Sequence, residues 1–189
     1  RPSKTKIKII PHGQGEYYGF ELSCNKRYTL GTDCTITHNT YAITSLLYQK
    51  RHIFPFGMVF SGTEKVTGYW SKFFPDTFVY PNLQLSRVTD FLKQQELNKK
   101  HLQNPWSVLL IDDCAFETKL FNSELFKELF QNGRHYKFWL ILSLQYPSNI
   151  SPCLRQNIDY TFIYKNNNIN ERKKIYENYA SVIPSFNLF

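Results

Sequence analysis

Val108-Leu109-Leu110-Ile111-Asp112-Asp113 is four apolar residues followed at once by two carboxylates. A continuous apolar run of this length reads as a strand buried on both faces, as in a parallel sheet. Such a strand carries the acids to its C-terminal end, the edge where α/β sheets bind ligands. At that edge one acid can help hold a divalent cation and the other can orient or deprotonate a water. The same six residues also fit a buried strand ending in an Asp-rich turn.

Outward from this stretch, helical and buried-strand patterns alternate, which argues an α/β class. On the N-terminal side Ser86 to Lys100 reads as a polar amphipathic helix and Phe78 to Tyr80 as a short strand. Phe56 to Ser61 reads as an apolar strand ending in Gly62, and Thr40 to Gln49 as a helix. On the C-terminal side Ser123 to Asn132 reads as a helix with Leu125, Phe126, Leu129 and Phe130 on one face and Gly133 as its stop. Phe138 to Leu144 is expected to be a second buried strand and Tyr160 to Tyr164 a third. Asn168 with Glu171 resembles a capping box that opens a last helix, running to about Ala180.

The character of the chain changes near position 40. Before it, Lys6 to Ile10, Tyr17 to Leu22, Arg27 to Leu30 and Cys34 to Thr37 read as short strands punctuated by Gly13, Gly15, Asn25 and Gly31. That is the pattern of a small all-β unit. Two domains are therefore expected, residues 1–39 and residues 40–189.

Composition narrows the class. The chain is 42% hydrophobic and 17% aromatic, enough for a packed core and unlike a disordered tail. No apolar run approaches the roughly 20 residues that span a membrane. The opening Arg1-Pro2-Ser3-Lys4 is no signal peptide, and without an initiator Met the chain is expected to be a fragment of a longer product. Cys24, Cys34, Cys114 and Cys153 form no CxxC pair, which argues against zinc and a disulfide framework and favours a reducing, intracellular setting. Net charge is +8, and both parts are basic, which is compatible with a nucleic-acid partner and equally with a solvated surface.

The junction carries chemistry of its own in Thr35-Ile36-Thr37-His38-Asn39-Thr40. The amide of Asn39 can attack its own carbonyl and release the following peptide bond as it forms a succinimide. His38 can donate a proton to the leaving amine, and the hydroxyl of Thr40 can act as an acyl acceptor. By itself His-Asn-Thr also reads as an ordinary loop. The stretch from Gly15-Glu16-Tyr17-Tyr18-Gly19-Phe20-Glu21-Leu22 through Cys34 to Asn39 resembles the C-terminal end of inteins, the self-splicing Hint domains. The resemblance implies that Asn39 is the last intein residue and Thr40 the first host residue. Lys26 departs from the pattern, standing where inteins often carry a His.

From Thr40 to Phe189 the chain is similar to the genome-packaging ATPases of large nucleocytoplasmic DNA viruses, of the FtsK/HerA-type P-loop superfamily. The likeness rests on Leu110-Ile111-Asp112-Asp113-Cys114, on Leu129 through Lys137, on Gln145-Tyr146-Pro147 and on Leu154 through Tyr160. It implies a P-loop NTPase core, with a mostly parallel sheet and helices on both faces, lacking its first strand and its Walker A loop. Asp112 and Asp113 become the Walker B acids. Asp112 is then a Mg²⁺ ligand and Asp113 the residue that orients or deprotonates the attacking water. A Walker A loop ends in Gly-Lys-Ser/Thr, opens a helix and places its hydroxyl on Mg²⁺. Thr40 opens a helix directly after the junction, so it is read as that hydroxyl, and the upstream host segment is expected to end in Gly-Lys.

The same resemblance implies ATP and Mg²⁺ as cofactors and double-stranded DNA as a partner read without sequence specificity. It also implies a homo-oligomeric ring, a capsid or packaging portal, and a place in the virion or the virus factory. Gln145 is the candidate sensor of the γ-phosphate or holder of the attacking water. Arg134 is the candidate arginine finger across a subunit interface, with Arg155 as runner-up. Either Arg also fits a surface ion pair or a DNA phosphate contact. Trp70, Trp106 and Trp139 read as packing residues. Two other readings stay open: a protein-splicing element with the host segment as its flank, and a scaffold subunit without turnover.

Overall fold

The computed structural model describes residues 28–30, 35–37, 39–114, 118–121, 123–145, 150–164, 166 and 168–189. Side chains are described for all of these except 28–30, 35–37, 118 and 119. The chain divides into two compact units, Arg1–Ile36 and Thr37–Phe189. In the first, β1 (Tyr28–Leu30) and β2 (Thr35–Thr37) form a two-stranded sheet, matching two of the four strands expected there. The expected strands at 6–10 and 17–22, and His38, lie outside the described residues.

The second unit is α/β. Its order is α1 (Asn39–Lys50), β3 (Phe56–Ser61), α2 (Glu64–Thr67), β4 (Val79–Tyr80), α3 (Leu85–His101) and β5 (Ser107–Asp112). Then follow α4 (Thr118–Phe121), α5 (Glu124–Asn132), β6 (Phe138–Ser143), α6 (Pro152–Arg155) and α7 (Ile169–Tyr179). Four strands form one parallel sheet in the order β4-β3-β5-β6. The apolar stretch that decides the class is β5, at the centre and buried along its whole length, as a strand covered on both faces must be.

Side-chain alternation splits the core in two. Met58, Phe60, Leu109 and Ile111 meet Val88, Phe91 and Leu92 of α3 and Phe126 and Leu129 of α5 on one face. Val59, Val108 and Leu110 meet Ile43 of α1, Trp70 and Val79 on the other. Thus α1 covers the face opposite to α3 and α5.

Local signals account for the helix ends. The Ser123 side chain caps α5 by accepting from Phe126 N, and Asn168 caps α7 by accepting from Asn170 N and Glu171 N. Gly133 does end α5, but in the right-handed region rather than as a left-handed cap. Its need for glycine is steric: a Cβ there would lie 2.8 Å from Leu129 O and 3.3 Å from the Phe138 ring.

One expected strand is absent. Residues 160–164 form no regular element, and Tyr160 and Phe162 are 81% and 65% exposed. Their apolar pattern promised a buried strand, but a strand needs a neighbour to take its backbone hydrogen bonds. Among the described strands none forms a ladder with residues 160–164 or with the outer edge of β6.

Candidate active site

The parallel register brings the ends of β3, β5 and β6 level: Ser61 pairs with Asp112, and Asp112 with Ser143. Asp112 closes β5 and is 1% exposed. The next residue leaves the sheet abruptly, since Asp113 has φ of +49°. That region is sparsely used by non-glycine residues, with Asp among those that tolerate it. Gly62 makes the turn possible from the neighbouring strand. Its N–H donates to Asp112 O at 3.2 Å, and a Cβ on it would sit 2.3 Å from the Asp113 carbonyl oxygen.

The first turn of α1 meets this edge. Thr40 Oγ1 donates to Asp112 Oδ2 at 3.3 Å, joining residues 72 positions apart. Asn39 Nδ2 donates to Ser143 Oγ at 2.8 Å, and Asn39 Oδ1 accepts from Thr40 N at 3.0 Å. On the far side of the acid pair, Gln145 Nε2 donates to Asp113 Oδ1. Four residues singled out in the sequence, Thr40, Asp112, Asp113 and Gln145, are therefore brought together.

A further donor was not legible in the sequence. Trp70 Nε1 donates to Asp112 Oδ2 at 2.9 Å from a fully buried ring. Only the pairing of a buried indole N–H with some acceptor could have been anticipated. Ser143 likewise gave no signal, because its part depends on the register of β6 against β5.

Burial pushes the Asp112 carboxyl up from its ordinary value, while Trp70, Ser143 and Thr40 pull it back by stabilising the charged form; the charge of Asp113 adds to the rise. Although the Ser143 hydroxyl contributes, Asp112 Oδ1 is buried without a partner of hydrogen-bond geometry. A buried carboxylate oxygen left bare is costly and fits a site meant for a cation or water. Thr40 Oγ1 and Asp112 offer the hard oxygen donors that Mg²⁺ takes. Among the described residues no group of three or more His, Cys, Asp and Glu could hold a metal, so such a cation would draw its remaining ligands from phosphate and water.

Arg134 is not part of this cluster. It lies in the turn before β6, at the opposite end of the sheet, and pairs with Asp159 on the surface. Six residues of β6 at about 3.3 Å each put it roughly 20 Å from the acids of its own chain. Arg155, in α6, donates to Ile150 O at 2.9 Å and lies over the Tyr179 ring.

Among solved structures, the genome packaging NTPase B204 of Sulfolobus turreted icosahedral virus 2, in complex with AMPPCP, matches with a TM-score of 0.53 at 16% identity, covering 76% of each chain. The fold is that of a P-loop NTPase core. No family model matches the sequence. The chain is 44% identical to uncharacterized protein 075L of Invertebrate iridescent virus 6 over 81% of its length, and 40% identical to uncharacterized protein 088R of Invertebrate iridescent virus 3 over 78%. Against uncharacterized protein 015R of Frog virus 3 it is 35% identical over 75%. It spans 60%, 56% and 45% of those relatives' lengths. Within this fold, the cluster of Thr40, Asp112, Asp113 and Gln145 occupies the C-terminal edge of the sheet, where open α/β sheets bind ligands. No helix of the described residues is long and apolar enough to cross a membrane.

Proposed function

We propose that the unit from Thr40 onward is the rear part of a viral DNA-packaging ATPase, which couples ATP hydrolysis to movement of double-stranded DNA into a capsid. The observation that carries this reading is the bond from Thr40 Oγ1 to Asp112 Oδ2. It joins a helix-opening hydroxyl to the first of two strand-end acids, the pairing that a Mg²⁺-nucleotide site requires. Thr40 and Asp112 hold the cation. Asp113 accepts the proton of a water held between its carboxylate and Gln145. Mg²⁺ and ATP, when bound, supply the γ-phosphoryl group and neutralise its charge. Arg134, remote from its own site and exposed, acts on a neighbouring subunit of a homo-oligomeric ring. DNA is gripped by phosphate contacts without sequence preference, and the work is done at a packaging portal in the virus factory or virion.

The phosphate-cradling loop comes from a host strand that precedes α1, and the handedness of the sheet supports a place for it. Crossovers between parallel strands are right-handed in about 98% of cases. α3 carries the chain from β4 across to β5, and α5 from β5 to β6, both on one face. α1 lies on the other face, so a strand feeding it must start on the β6 side of β3. β5 and β6 fill the nearer positions, which leaves the outer edge of β6.

The test is ATP turnover by the mature protein, with the upstream host segment joined directly to Thr40. Hydrolysis should require Mg²⁺, and Asp113→Asn should lower it by a factor of about 10² to 10⁴. The present chain, without the loop and its lysine, should show none. A joined protein without turnover, or an upstream segment that does not end in Gly-Lys, would sink the reading.

A second reading is favoured for the first unit. The two compact units part after Ile36, three residues before the proposed junction at Asn39 and Thr40. Residues 1–39 are the intein end, and His38, Asn39 and Thr40 are its cleavage and acyl-transfer groups. Mass spectrometry after incubation should detect a fragment ending at Asn39, and none from Asn39→Ala. No release from the unaltered chain would count against it.

A further inference from the structure

Between β3 and β4 the chain builds a buttress that reaches under the acid pair. Glu64, at the start of α2 and only 9% exposed, spans two backbone donors: its Oε2 accepts from Trp70 N and its Oε1 from Ser71 N, both at 3.0 Å. Gly68, in the left-handed region at φ of +52°, turns the chain from α2 towards that pair. Trp70 is thereby fixed at its backbone by a carboxylate. Its ring is wedged among Tyr69, Phe73 and Phe74, edge-on at 5.2 to 6.4 Å between centroids. Tyr69 is held in turn by the Thr44 hydroxyl of α1 at 2.9 Å.

All this rigidity ends in one hydrogen bond, from the indole N–H to Asp112 Oδ2. Thr40 converges on the same oxygen, so Oδ2 has two donors, while Oδ1 has none of hydrogen-bond geometry and only the nearby Ser143 hydroxyl to stabilise its charge. A donor lodged in a packed ring cannot follow a rotating carboxylate. It selects one rotamer, and with it the oxygen that stays bare. A packing residue alone would satisfy its N–H on any nearby carbonyl; this one takes the carboxylate at the head of the site.

We infer that Trp70 is a positioning residue for the cation site: its indole N–H, braced by Glu64, locks the Asp112 carboxylate so that Oδ1 is the oxygen left for the metal. The role rests on the nucleotide-site reading above but concerns a residue outside the strand-end cluster. Outer-shell partners of this kind commonly set metal affinity by 10- to 100-fold.

The experiment is Mn²⁺ binding by the mature protein, with the upstream host segment joined to Thr40, in the presence of AMPPCP, measured by electron paramagnetic resonance. Trp70→Phe keeps a ring and removes the N–H. It should weaken Mn²⁺ binding roughly tenfold with its far-ultraviolet circular dichroism unchanged, whereas Asp112→Asn should abolish binding at this site. In the unaltered chain labelled with 5-fluorotryptophan, Mn²⁺ should broaden the Trp70 fluorine resonance before those of Trp106 and Trp139. This second measurement decides the matter should Trp70→Phe fail to fold. A folded Trp70→Phe chain that binds Mn²⁺ within twofold of the original overturns the positioning role and leaves the nucleotide-site reading standing. Broadening of another tryptophan first would place the cation away from Asp112 and overturn both. An unaltered chain that binds no Mn²⁺ overturns both.

Discussion

The two ends of the parallel sheet are built on opposite terms. At the N-terminal end the fully buried Gln95 of α3 gives its amide to three backbone carbonyls, Pro105 O, Tyr136 O and Lys137 O, at 2.9 to 3.2 Å, and its Oε1 accepts from Asn98. Among the described residues, the buried side-chain group left unpaired there is the neutral hydroxyl of Ser107. At the C-terminal end a carboxylate is buried with one oxygen bare, whereas a non-glycine residue in the left-handed region occurs at both ends, Lys137 at the first and Asp113 at the second. Desolvating a charge costs far more than desolvating a hydroxyl. One end is satisfied for stability, and the other keeps an unmet demand that a ligand can meet. Departures from local rules tend to gather at functional sites in this way.

The contrast is open to attack by mutation. The largest effect on stability should come from Gln95→Leu, which removes the amide donor from three part-buried carbonyls, of which Lys137 O keeps Ser107 N at 3.1 Å. Urea denaturation should show a loss of about 3 kcal/mol with the slope unchanged. A loss below about 1 kcal/mol would mean that the N-terminal end is not the stabilising one.

Gly62→Ala comes next. Its new methyl must displace the Asp113 carbonyl, and overpacking of this kind costs about 2 kcal/mol. The same change should disturb the acid pair, so any Mn²⁺ bound at the site should be lost along with stability.

Asp112→Asn should act in the opposite direction. Asp112 titrates above its unfolded value, so the folded chain binds more protons between the two. Its contribution therefore favours folding at acid pH and is lost as pH rises through the folded value. Replacing it should raise stability at neutral pH, by less than Gly62→Ala lowers it, and flatten the pH dependence of the urea midpoint on the acid side. A destabilised Asn variant would show that the bare oxygen is not a cost.

The smallest effect belongs to Arg134→Ala. Its ion pair with Asp159 is exposed on both sides, so stability should change by less than about 0.5 kcal/mol. If Arg134 serves a neighbouring subunit, turnover of the assembled ring should nonetheless fall. Unchanged turnover would return it to the surface ion pair.

Legibility in the sequence followed the range of the interactions. β3, β5, β6, α1, α3 and α5 were readable because apolar period and capping residues sit within a few positions of what they specify. The strand expected at 160–164 carried the right pattern and failed, because pairing needs a second strand and composition cannot supply one. Asp112 and Asp113 were readable because a buried strand must end somewhere and its next residues are delivered to the edge. Trp70 was readable only as packing.

The sequence by itself determined the α/β class, the strand that ends in two acids, the change of character near position 40 and the residue types able to hold a cation. The tertiary structure alone decided that Thr40 meets Asp112 across 72 positions, that Arg134 lies at the far end of the sheet and that Trp70 donates to the buried carboxylate. The reason is physical. Period and capping are set by neighbours along the chain, whereas the register of parallel strands and the face each helix covers are fixed only when the whole core packs.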